Sequence, residues 1–325
     1  MANMTIKMVA RDYDFLTPLI GGDVKPEGIE LIIDRATSMA AFRTDESFQA
    51  GEMSFSQYVR RLDSGEDDIV GFPIFLMRGF RHRCFFTLRD NGLTSFEDLR
   101  GKRIGTNGWP DSGNTWSRSL IRAAGVSIDE IEWVVGPIDG IVDEAIGHRA
   151  SSEGLPPNAS VAPEGKTLAG MLQAGELDAM MVHWPPQIFY EQDSPVVRLL
   201  PDFQQAEEEY ARKMGFCPTH HILGVRASVL ENAPWIAGSL FRAFEESRKL
   251  AEERRWVLTD TSPWLLADLE RTAQILGRNW QAHGVAGNEA VIDTFCAELH
   301  AQGITSKRIA GPDVFARFEE LVSRA

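Results

Sequence analysis

Residues 5–33 read TIKMVARDYDFLTPLIGGDVKPEGIELII, and this stretch decides the fold class. Its apolar runs at Thr5–Ala10 and Ile29–Ile33 predict two strands. Between them, Phe15–Ile20 predicts a short helix that ends at Gly21-Gly22. Strand, helix and strand within about thirty residues form the βαβ unit of a parallel sheet. The sequence therefore predicts an α/β protein.

The same alternation continues along the chain. Ser95 and Asp98 predict the capped start of a short helix that stops at Gly101. Residues 151–165, rich in Ser, Pro and Gly, predict a loop. After residue 225 helices dominate, and three of them end near 277, near 303 and at the C-terminus. Further helices are predicted at 55–63, 112–124, 168–175 and 233–256, and strands at 69–76, 102–105, 131–135, 177–182 and 220–225.

The length of the chain predicts two lobes, because 325 residues exceed what one hydrophobic core usually holds. Lobe 1 is predicted to comprise residues 1–99 and 205–325, and lobe 2, residues 100–204, is inserted between these halves. Each lobe is expected to be a mostly parallel sheet flanked by helices, with a helical C-terminal region. A ligand cleft is expected between the lobes, lined by loops at the carboxyl ends of strands.

Composition excludes several classes of function. A net charge of -14 argues against nucleic acid and anionic membranes as partners, because phosphate groups require a basic surface. Cys84, Cys217 and Cys296 are odd in number and lack C-x-x-C spacing, so neither a disulfide framework nor a zinc site is predicted. No secretory segment and no apolar run of the ~20 residues that span a bilayer is present. We expect a cytoplasmic protein, and homo-oligomer formation is left open.

A basic cluster, Arg78-Gly-Phe-Arg81-His82-Arg83, stands out in this acidic chain. It follows the apolar run Ile69–Leu76, which predicts a buried strand with a proline marking its exit. Cations at the end of a strand lie where α/β folds bind ligands, which favours a small-anion site. The alternative is a solvated basic turn.

Three more polar turns adjoin predicted strands. One is Arg11-Asp12-Tyr13-Asp14, and another is Glu52–Tyr58, where Ser54 or Ser56 can cap a helix and leave backbone N–H groups for an anion. The third, Thr106–Arg118, opens a helix with a glycine-bearing loop that also suits an anion. It is neither G-x-G-x-x-G nor a Walker A loop, so nucleotide binding is not supported. Capping alone remains the alternative for each turn.

Histidines adjoin two further strands: His183, in the segment VHWPP, follows the strand predicted at 177–182, and His220-His221 begin the strand predicted at 220–225. Histidine suits proton transfer near neutral pH, and His82 adds to the set. Alternation along a strand sends His220 and His221 to opposite faces, so at most one of them is expected to face a ligand. Metal binding with Glu52 or Asp12 lacks supporting spacing, and we predict neither a metal nor a cofactor. No G-x-S-x-G elbow is present, and no cysteine has an obvious paired base.

These segments resemble the 4,5-dihydroxyphthalate decarboxylase family, and the similarity spans nearly the whole chain. That family implies a fold of the type 2 periplasmic-binding-protein kind without a secretion signal. The chain departs from the family pattern at residues 108–113 and at His183-Trp184, which puts the identity of the substrate in question. The segments that carry the resemblance are Ala10–Asp14, Pro26–Leu31, Glu52–Tyr58, Phe80–His82, Asp98–Gly105, Trp116–Arg118, Leu172–Ala179, Ala233–Ala251 and Pro263–Leu265.

The resemblance implies non-oxidative decarboxylation of a hydroxylated aromatic carboxylic acid, similar to 4,5-dihydroxyphthalate, to a catechol acid and carbon dioxide. Such an enzyme belongs to phthalate degradation and needs a proton donor, for which His82 and His220 are the candidates. Asp12 or Asp14 would accept hydrogen bonds from the two hydroxyl groups of the substrate. Of these two, Asp12 is the one predicted to be catalytic. Arginines suit the two carboxylates as bidentate partners, and the candidates are Arg81, Arg83 and Arg118.

The remaining substrate-binding candidates come from the same turns. The alternative function is a non-enzymatic cytoplasmic binding protein for a small carboxylate or an aromatic ligand. In both readings the partner is a small anionic, aromatic molecule. The further substrate-binding candidates mentioned first are Tyr13, Ser54, Ser56, Trp109, Ser112, Thr115, Trp116 and His183.

Overall fold

The computed structural model describes residues 4–36, 40–146 and 154–324. The strands are β1 (Met4–Ala10), β2 (Ile29–Arg35), β3 (Ala50–Ser54), β4 (Ile69–Arg78), β5 (Phe85–Leu88), β6 (Arg103–Thr106), β7 (Glu132–Val135), β8 (Ala159–Val161), β9 (Ala179–Met181), β10 (Val196–Arg198) and β11 (Thr219–Arg226). The helices are α1 (Thr17–Ile20), α2 (Ala40–Thr44), α3 (Phe55–Ser64), α4 (Ser112–Ala123), α5 (Gly140–Ile146), α6 (Leu168–Gln173), α7 (Phe203–Met214), α8 (Ala227–Glu231), α9 (Trp235–Val257), α10 (Leu265–Leu276), α11 (Glu289–Ala301), α12 (Gly311–Val314) and α13 (Ala316–Arg324). Short 3-10 helices include Asp14–Leu16, His82–Cys84 and Glu97–Leu99.

These elements form two compact units, which confirms the α/β class. The first unit takes the described residues of 1–79, 211–297 and 307–325, and the second takes those of 80–210 and 298–306. The division after Gly79 differs from the predicted boundary near 100. The reason is β5, whose backbone pairs with β9 and β10 and so belongs to the sheet of the second unit.

The sheet of the first unit has the order β2-β1-β3-β11-β4. The βαβ unit predicted from residues 5–33 is confirmed, because β1 and β2 pair in parallel over seven residues, from Met4↔Ile29 to Ala10↔Arg35. β3 also lies parallel to β1, but β11 runs antiparallel to both β3 and β4. Four of the five strands therefore run in the same direction, as predicted for a mostly parallel sheet, and the exception is the late strand β11, which inserts antiparallel between β3 and β4.

Strand β4 shows how a proline fits inside a strand. Pro73 lies within β4 rather than at its exit, and β4 is the edge strand of its sheet. The pairing with β11 shifts register between Phe72 and Phe75, so the missing N–H of Pro73 falls at an irregularity. Beyond it, Arg78 donates from Nη2 to the carbonyl of Ala282 and to Asn288 Oδ1.

Strand β3 is absent from the sequence prediction, although it is a central strand. Its residues AGEMS include the buried Glu52, and residues 52–54 overlap the segment Glu52–Tyr58 that the sequence predicts as a polar turn. Gly51 permits this packing, because a Cβ there would lie 2.4–2.8 Å from atoms of Phe42. The core of the unit lies between this sheet and α9, which contributes Ile236, Leu240 and Phe244.

The sheet of the second unit has the order β10-β5-β9-β6-β7-β8, and it is also mixed. β6 pairs in parallel with β7 and β9, whereas β5 is antiparallel to its two neighbours. Strand β8 lies in the segment predicted as a loop, of which residues 151–153 fall outside the described residues. Over the described ranges, no helix combines the length and apolar character needed to cross a membrane.

Candidate functional site

A buried carboxylate, Glu52, lies at the centre of a polar cluster in the first unit. Its side chain is 1 % exposed. The Tyr13 hydroxyl donates to Glu52 Oε1 at 2.6 Å, and the backbone N–H of Arg11 donates to Oε2 at 2.8 Å. His221 Nδ1 lies 2.5 Å from Oε1. The two carboxylate oxygens thus accept three hydrogen bonds from two segments of the chain, which offsets the cost of burying a charge.

Strand register brings these residues together. β1 and β3 run in parallel with Val9 opposite Gly51, so the residues just after β1 arrive beside Glu52. In the antiparallel pair, Leu223 lies opposite Glu52 and His221 lies opposite Ser54. His221 is therefore the diagonal neighbour of Glu52 on one face of the sheet, within reach of a long side chain. We name Tyr13, Glu52 and His221 the dyad cluster.

The electrostatics of the dyad cluster keep Glu52 ionised. Burial alone would raise its pKa, but the hydrogen bond and charge of His221, followed by hydrogen bonds from Tyr13 and Arg11, lower the pKa below its ordinary value. Burial, and then the negative charge of Glu52, raise the pKa of Tyr13, so its phenol stays protonated. Since an ionised carboxylate is an acceptor only, His221 Nδ1 must carry a proton and donate it to Glu52.

The other predicted residues of the first unit lie outside this cluster. Asp12 is exposed and pairs with Arg35 at 3.1 Å, and the exposed Asp14 pairs with Arg255. Ser54 occupies the N-cap position of α3, but its side chain makes no capping hydrogen bond, and Ser56 is buried. His220, a predicted proton donor, has a fully buried ring, and its Nε2 lies 2.7 Å from the carbonyl oxygen of Gly79. Its role stays a prediction.

The second unit has its own polar cluster at the start of α4. Asp111 is the N-cap residue and accepts from the Asn114 backbone N–H at 2.9 Å. His183 Nε2 lies 3.2 Å from Asp111 Oδ1. Burial acts to raise the pKa of Asp111, but the charge and hydrogen bond of His183, the Asn114 amide and the charge of Arg118 hold that pKa well below its usual range. Asp111 is therefore a carboxylate at neutral pH.

Arg81 points at this first helical turn. Its side chain is buried, and its Nε has no hydrogen-bond partner among the described residues. A Cβ on Gly113 would lie 3.0 Å from Arg81 Nη2 and would collide with the imidazole of His183. Glycine at this position therefore lets the guanidinium and the imidazole approach the helix N-terminus. A cation beside the positive end of a helix dipole favours an anion there. We name Arg81, Gly113 and His183 the anion cluster.

His82, the second predicted proton donor, lies in apolar surroundings, and its role stays a prediction. It is buried, with its ring against Phe96 and Tyr210. Burial, and then the charge of Arg83, lower the pKa of His82 to about 4, so the ring is neutral at neutral pH and holds no proton to give as an imidazolium. Arg83 is half-exposed and lies 3.4 Å from Glu207, in an ion pair rather than in the anion cluster.

Arg118 and its aromatic neighbours belong to the core of the second unit. The guanidinium lies 3.9 Å from the ring centroid of Trp109 and donates to the Trp109 carbonyl and to Gln302. Burial lowers the pKa of Arg118 to about 9. Trp116 is buried as well. All three residues are buried, and their predicted part in substrate binding stays a prediction.

The last two predicted residues, Ser112 and Thr115, are buried in the first turns of α4. Thr115 Oγ1 donates to the carbonyl of Asp111 at 2.8 Å, within the helix. Sequence reasoning missed Asp111 itself, although an aspartate directly before a helical segment is an N-cap signal. It also missed the pairing of His221 with Glu52, which an assignment of 50–54 as a strand would have indicated. No group of three or more potential metal ligands occurs within the described ranges.

Comparisons with known proteins agree with this architecture. A family model described as NMT1/THI5 like matches residues 79–149. A 4,5-dihydroxyphthalate decarboxylase of Comamonas testosteroni is 32% identical over 328 residues, covering 97% of this chain and 97% of that protein. A protein of the same name from Pseudomonas putida is 28% identical over 225 residues, covering 66% of this chain and 84% of that protein.

Two solved structures share the fold across the whole chain. The periplasmic aliphatic sulphonate binding protein SsuA of Escherichia coli has a TM-score of 0.58 at 12% identity and covers 99% of this chain and 100% of its own. The desulfurization enzyme DSZB has a TM-score of 0.52 at 15% identity, and 99% of each chain is covered. The fold is therefore of the periplasmic-binding-protein kind, as expected from the sequence.

Proposed function

The chain belongs to the 4,5-dihydroxyphthalate decarboxylase family, and from that premise we propose that it removes carbon dioxide from a hydroxylated aromatic carboxylic acid. The substrate class is a 4,5-dihydroxyphthalate-like acid, and the product is a catechol acid. The observation that carries the proposal is the similarity to a curated decarboxylase over 97% of both chains. No oxidant is consumed in this reaction.

The chemistry needs a proton and a held carboxylate. A ring hydroxyl para to the leaving carboxylate pushes electron density into the ring, and a proton adds to the carbon that bears that carboxylate. The carbon–carbon bond then breaks, its electron pair returns to the ring, and carbon dioxide leaves. An enzyme accelerates this step by positioning the acid and by orienting the substrate.

We assign the anion cluster of the second unit to carboxylate binding. Arg81 can form two parallel hydrogen bonds to a carboxylate, and its buried Nε has no other partner among the described residues. The N-terminal turn of α4 supplies backbone N–H groups and a favourable dipole at the same place. His183, held by Asp111, completes the cluster.

The expected ligand cleft and the expected cytoplasmic location stay predictions. Cell fractionation would test the location.

The test is a decarboxylation assay on the purified protein. We expect 4,5-dihydroxyphthalate to yield carbon dioxide and 3,4-dihydroxybenzoate in equal amounts. Phthalate has both carboxylates but no hydroxyl to drive the reaction, so it should bind and inhibit without releasing carbon dioxide. If all hydroxylated aromatic acids bind without turnover, the protein is a binding protein and the decarboxylase proposal is wrong.

A further inference from the structure

We propose that His221 donates the proton that replaces the departing carboxylate on the ring, and that Glu52 and Tyr13 are positioning residues that hold its imidazole. This inference rests on the proposed decarboxylation and supplies the group that performs its proton transfer. The proposal rests on the short contact between His221 Nδ1 and Glu52 Oε1, which lie 2.5 Å apart. The Tyr13 hydroxyl donates a hydrogen bond to the same carboxylate oxygen.

The hydrogen-bond pattern determines which nitrogen acts. Nδ1 donates to Glu52, so Nε2 is the nitrogen that can pass a proton to a bound molecule. The ionised carboxylate stabilises the imidazolium form that holds this second proton. The His221 side chain is 11% exposed, so it is not sealed inside the unit as His220 is.

Glu52 is itself fixed from two further directions. The Arg11 backbone N–H binds one carboxylate oxygen, and the Tyr13 hydroxyl binds the other. Both donors follow β1, whose pairing with β3 is part of the sheet. The orientation of the imidazole is therefore set by the paired strands that carry Glu52 and His221 and by the segment directly after β1.

The remaining histidines of the described residues are poorer donors. His82 is neutral at neutral pH, and His220 is bound to a backbone carbonyl. His283 is buried, and its Nδ1 accepts from the backbone N–H of Phe75. His300 is exposed at the end of α11, where Nδ1 lies 3.3 Å from the carbonyl of Thr305.

His183 also faces a carboxylate, but its surroundings differ in charge. Arg81 and His183 both lie close to Gly113. The positive charge of Arg118 also acts on the Asp111 carboxylate that faces His183. A proton on His183 would add a positive charge beside a guanidinium. In the dyad cluster the Arg11 side chain is hydrogen-bonded to Tyr13, but the Glu52 side chain is 1% exposed against 36% for Asp111, so solvent screens its charge less from the neighbouring imidazole. His183 is therefore suited to binding an anion and His221 to donating a proton.

The Nε2–H bond of the His221 imidazolium breaks, and that proton forms a bond to the ring carbon bearing the carboxylate. The carbon–carboxylate bond then breaks, its electron pair restores the aromatic ring, and carbon dioxide departs. His221 is left neutral and regains its proton from water. No oxidant, reductant or second substrate takes part.

The experiment compares His221→Asn with His220→Asn. The asparagine amide can still donate to Glu52 but has no proton to give, so we expect kcat to fall by about a hundredfold or more. Binding of phthalate, measured by calorimetry, should change less than threefold. His220→Asn should keep kcat within threefold. Glu52→Gln and Tyr13→Phe should lower kcat without weakening phthalate binding, with the larger effect for Glu52→Gln.

A proton NMR measurement tests the geometry independently of turnover. The Nδ1–H of His221 should give a low-field resonance that disappears in His221→Asn and in Glu52→Gln but persists in His220→Asn. Normal turnover by His221→Asn would overturn this assignment and leave the decarboxylase proposal intact. Equal loss of kcat in His220→Asn would overturn it too. A wild-type protein that binds hydroxylated acids without releasing carbon dioxide would overturn both proposals.

Discussion

At the scale of single residues, the arginines of the basic segment 78–83 have three different environments. The Nε of Arg78 and that of Arg81 are both buried without a partner among the described residues, but Arg78 donates from Nη2 to two oxygens, of Ala282 and Asn288, whereas Arg81 donates from Nη1 to the weak acceptor Cys84 Sγ at 3.9 Å. Arg83 pairs with Glu207. A buried guanidinium with unused donors is costly unless a ligand supplies acceptors. This difference separates a binding residue from two structural ones.

Replacing Arg81 should therefore weaken binding. We expect Arg81→Gln to raise the Kd of phthalate roughly ten- to a hundredfold, because it removes charged hydrogen bonds worth about 1.5–3 kcal/mol. Arg83→Gln is the matched control, since its ion pair is half-exposed, and it should change the Kd less than threefold. Calorimetric titration measures both. A similar Kd for wild type and Arg81→Gln would remove Arg81 from the site.

The residue types in the sequence indicated acid chemistry by histidine, but not which histidine performs it. The sequence pointed to His82 and His220, whereas burial makes the first neutral and a backbone carbonyl engages the second. The statement that at most one of His220 and His221 faces a ligand is compatible with their separate partners. Which of the two has a carboxylate beside it depends on strand register, which a histidine pair does not reveal.

At the scale of elements, the first turn of α4 depends on a glycine inside a helix. An alanine usually stabilises such a position by up to about 1 kcal/mol. Gly113 is different, because a Cβ would meet His183 and Arg81. The helix accepts a poor helix former so that two side chains can reach its N-terminus.

Substitution at two helical glycines should therefore have opposite effects. We expect Gly113→Ala to lower the free energy of unfolding by about 1–3 kcal/mol through overpacking, and to weaken phthalate binding. Gly140→Ala in α5 is the control, since a Cβ there would meet nothing within 4 Å. It should leave stability unchanged or slightly higher. Urea denaturation measures the first effect, and an undiminished stability of Gly113→Ala would contradict the packing described here.

Element prediction succeeded where apolar periodicity was strong and failed at β3. The strands β1, β2, β4 and β11 and the long helix α9 follow from their patterns within a few residues. β3 was missed because a glutamate and a serine interrupt its short apolar run. Its polar residue is stabilised by partners 39 to 169 positions away in the chain, which no local pattern contains.

At the scale of the whole molecule, a neutral buried histidine makes stability depend on pH. The pKa of His82 is about 4 in the folded protein, against an ordinary value of 6.5. Between these values the unfolded chain binds a proton that the folded chain does not, so the stability falls as the pH falls from about 6.5 to about 4. The full difference corresponds to about 3 kcal/mol.

His82→Gln should remove this contribution. We expect its free energy of unfolding to fall less steeply than that of the wild type between pH 6.5 and 4, although it is less stable at neutral pH. Urea titrations at a series of pH values provide the measurement. Equal slopes for wild type and His82→Gln would show that His82 is not a neutral buried group.

The sequence by itself determined the α/β class, the βαβ start, the family and the class of chemistry, because these depend on local apolar patterns and on motifs that are contiguous in the chain. The tertiary structure alone decided the mixed sheets, the division at Gly79, and the partners of each ionisable group. It placed Glu52 beside His221 and Arg81 beside Gly113. The physical reason is that pKa and accessibility depend on distance and burial in space, which strand register and packing set between residues far apart in the chain.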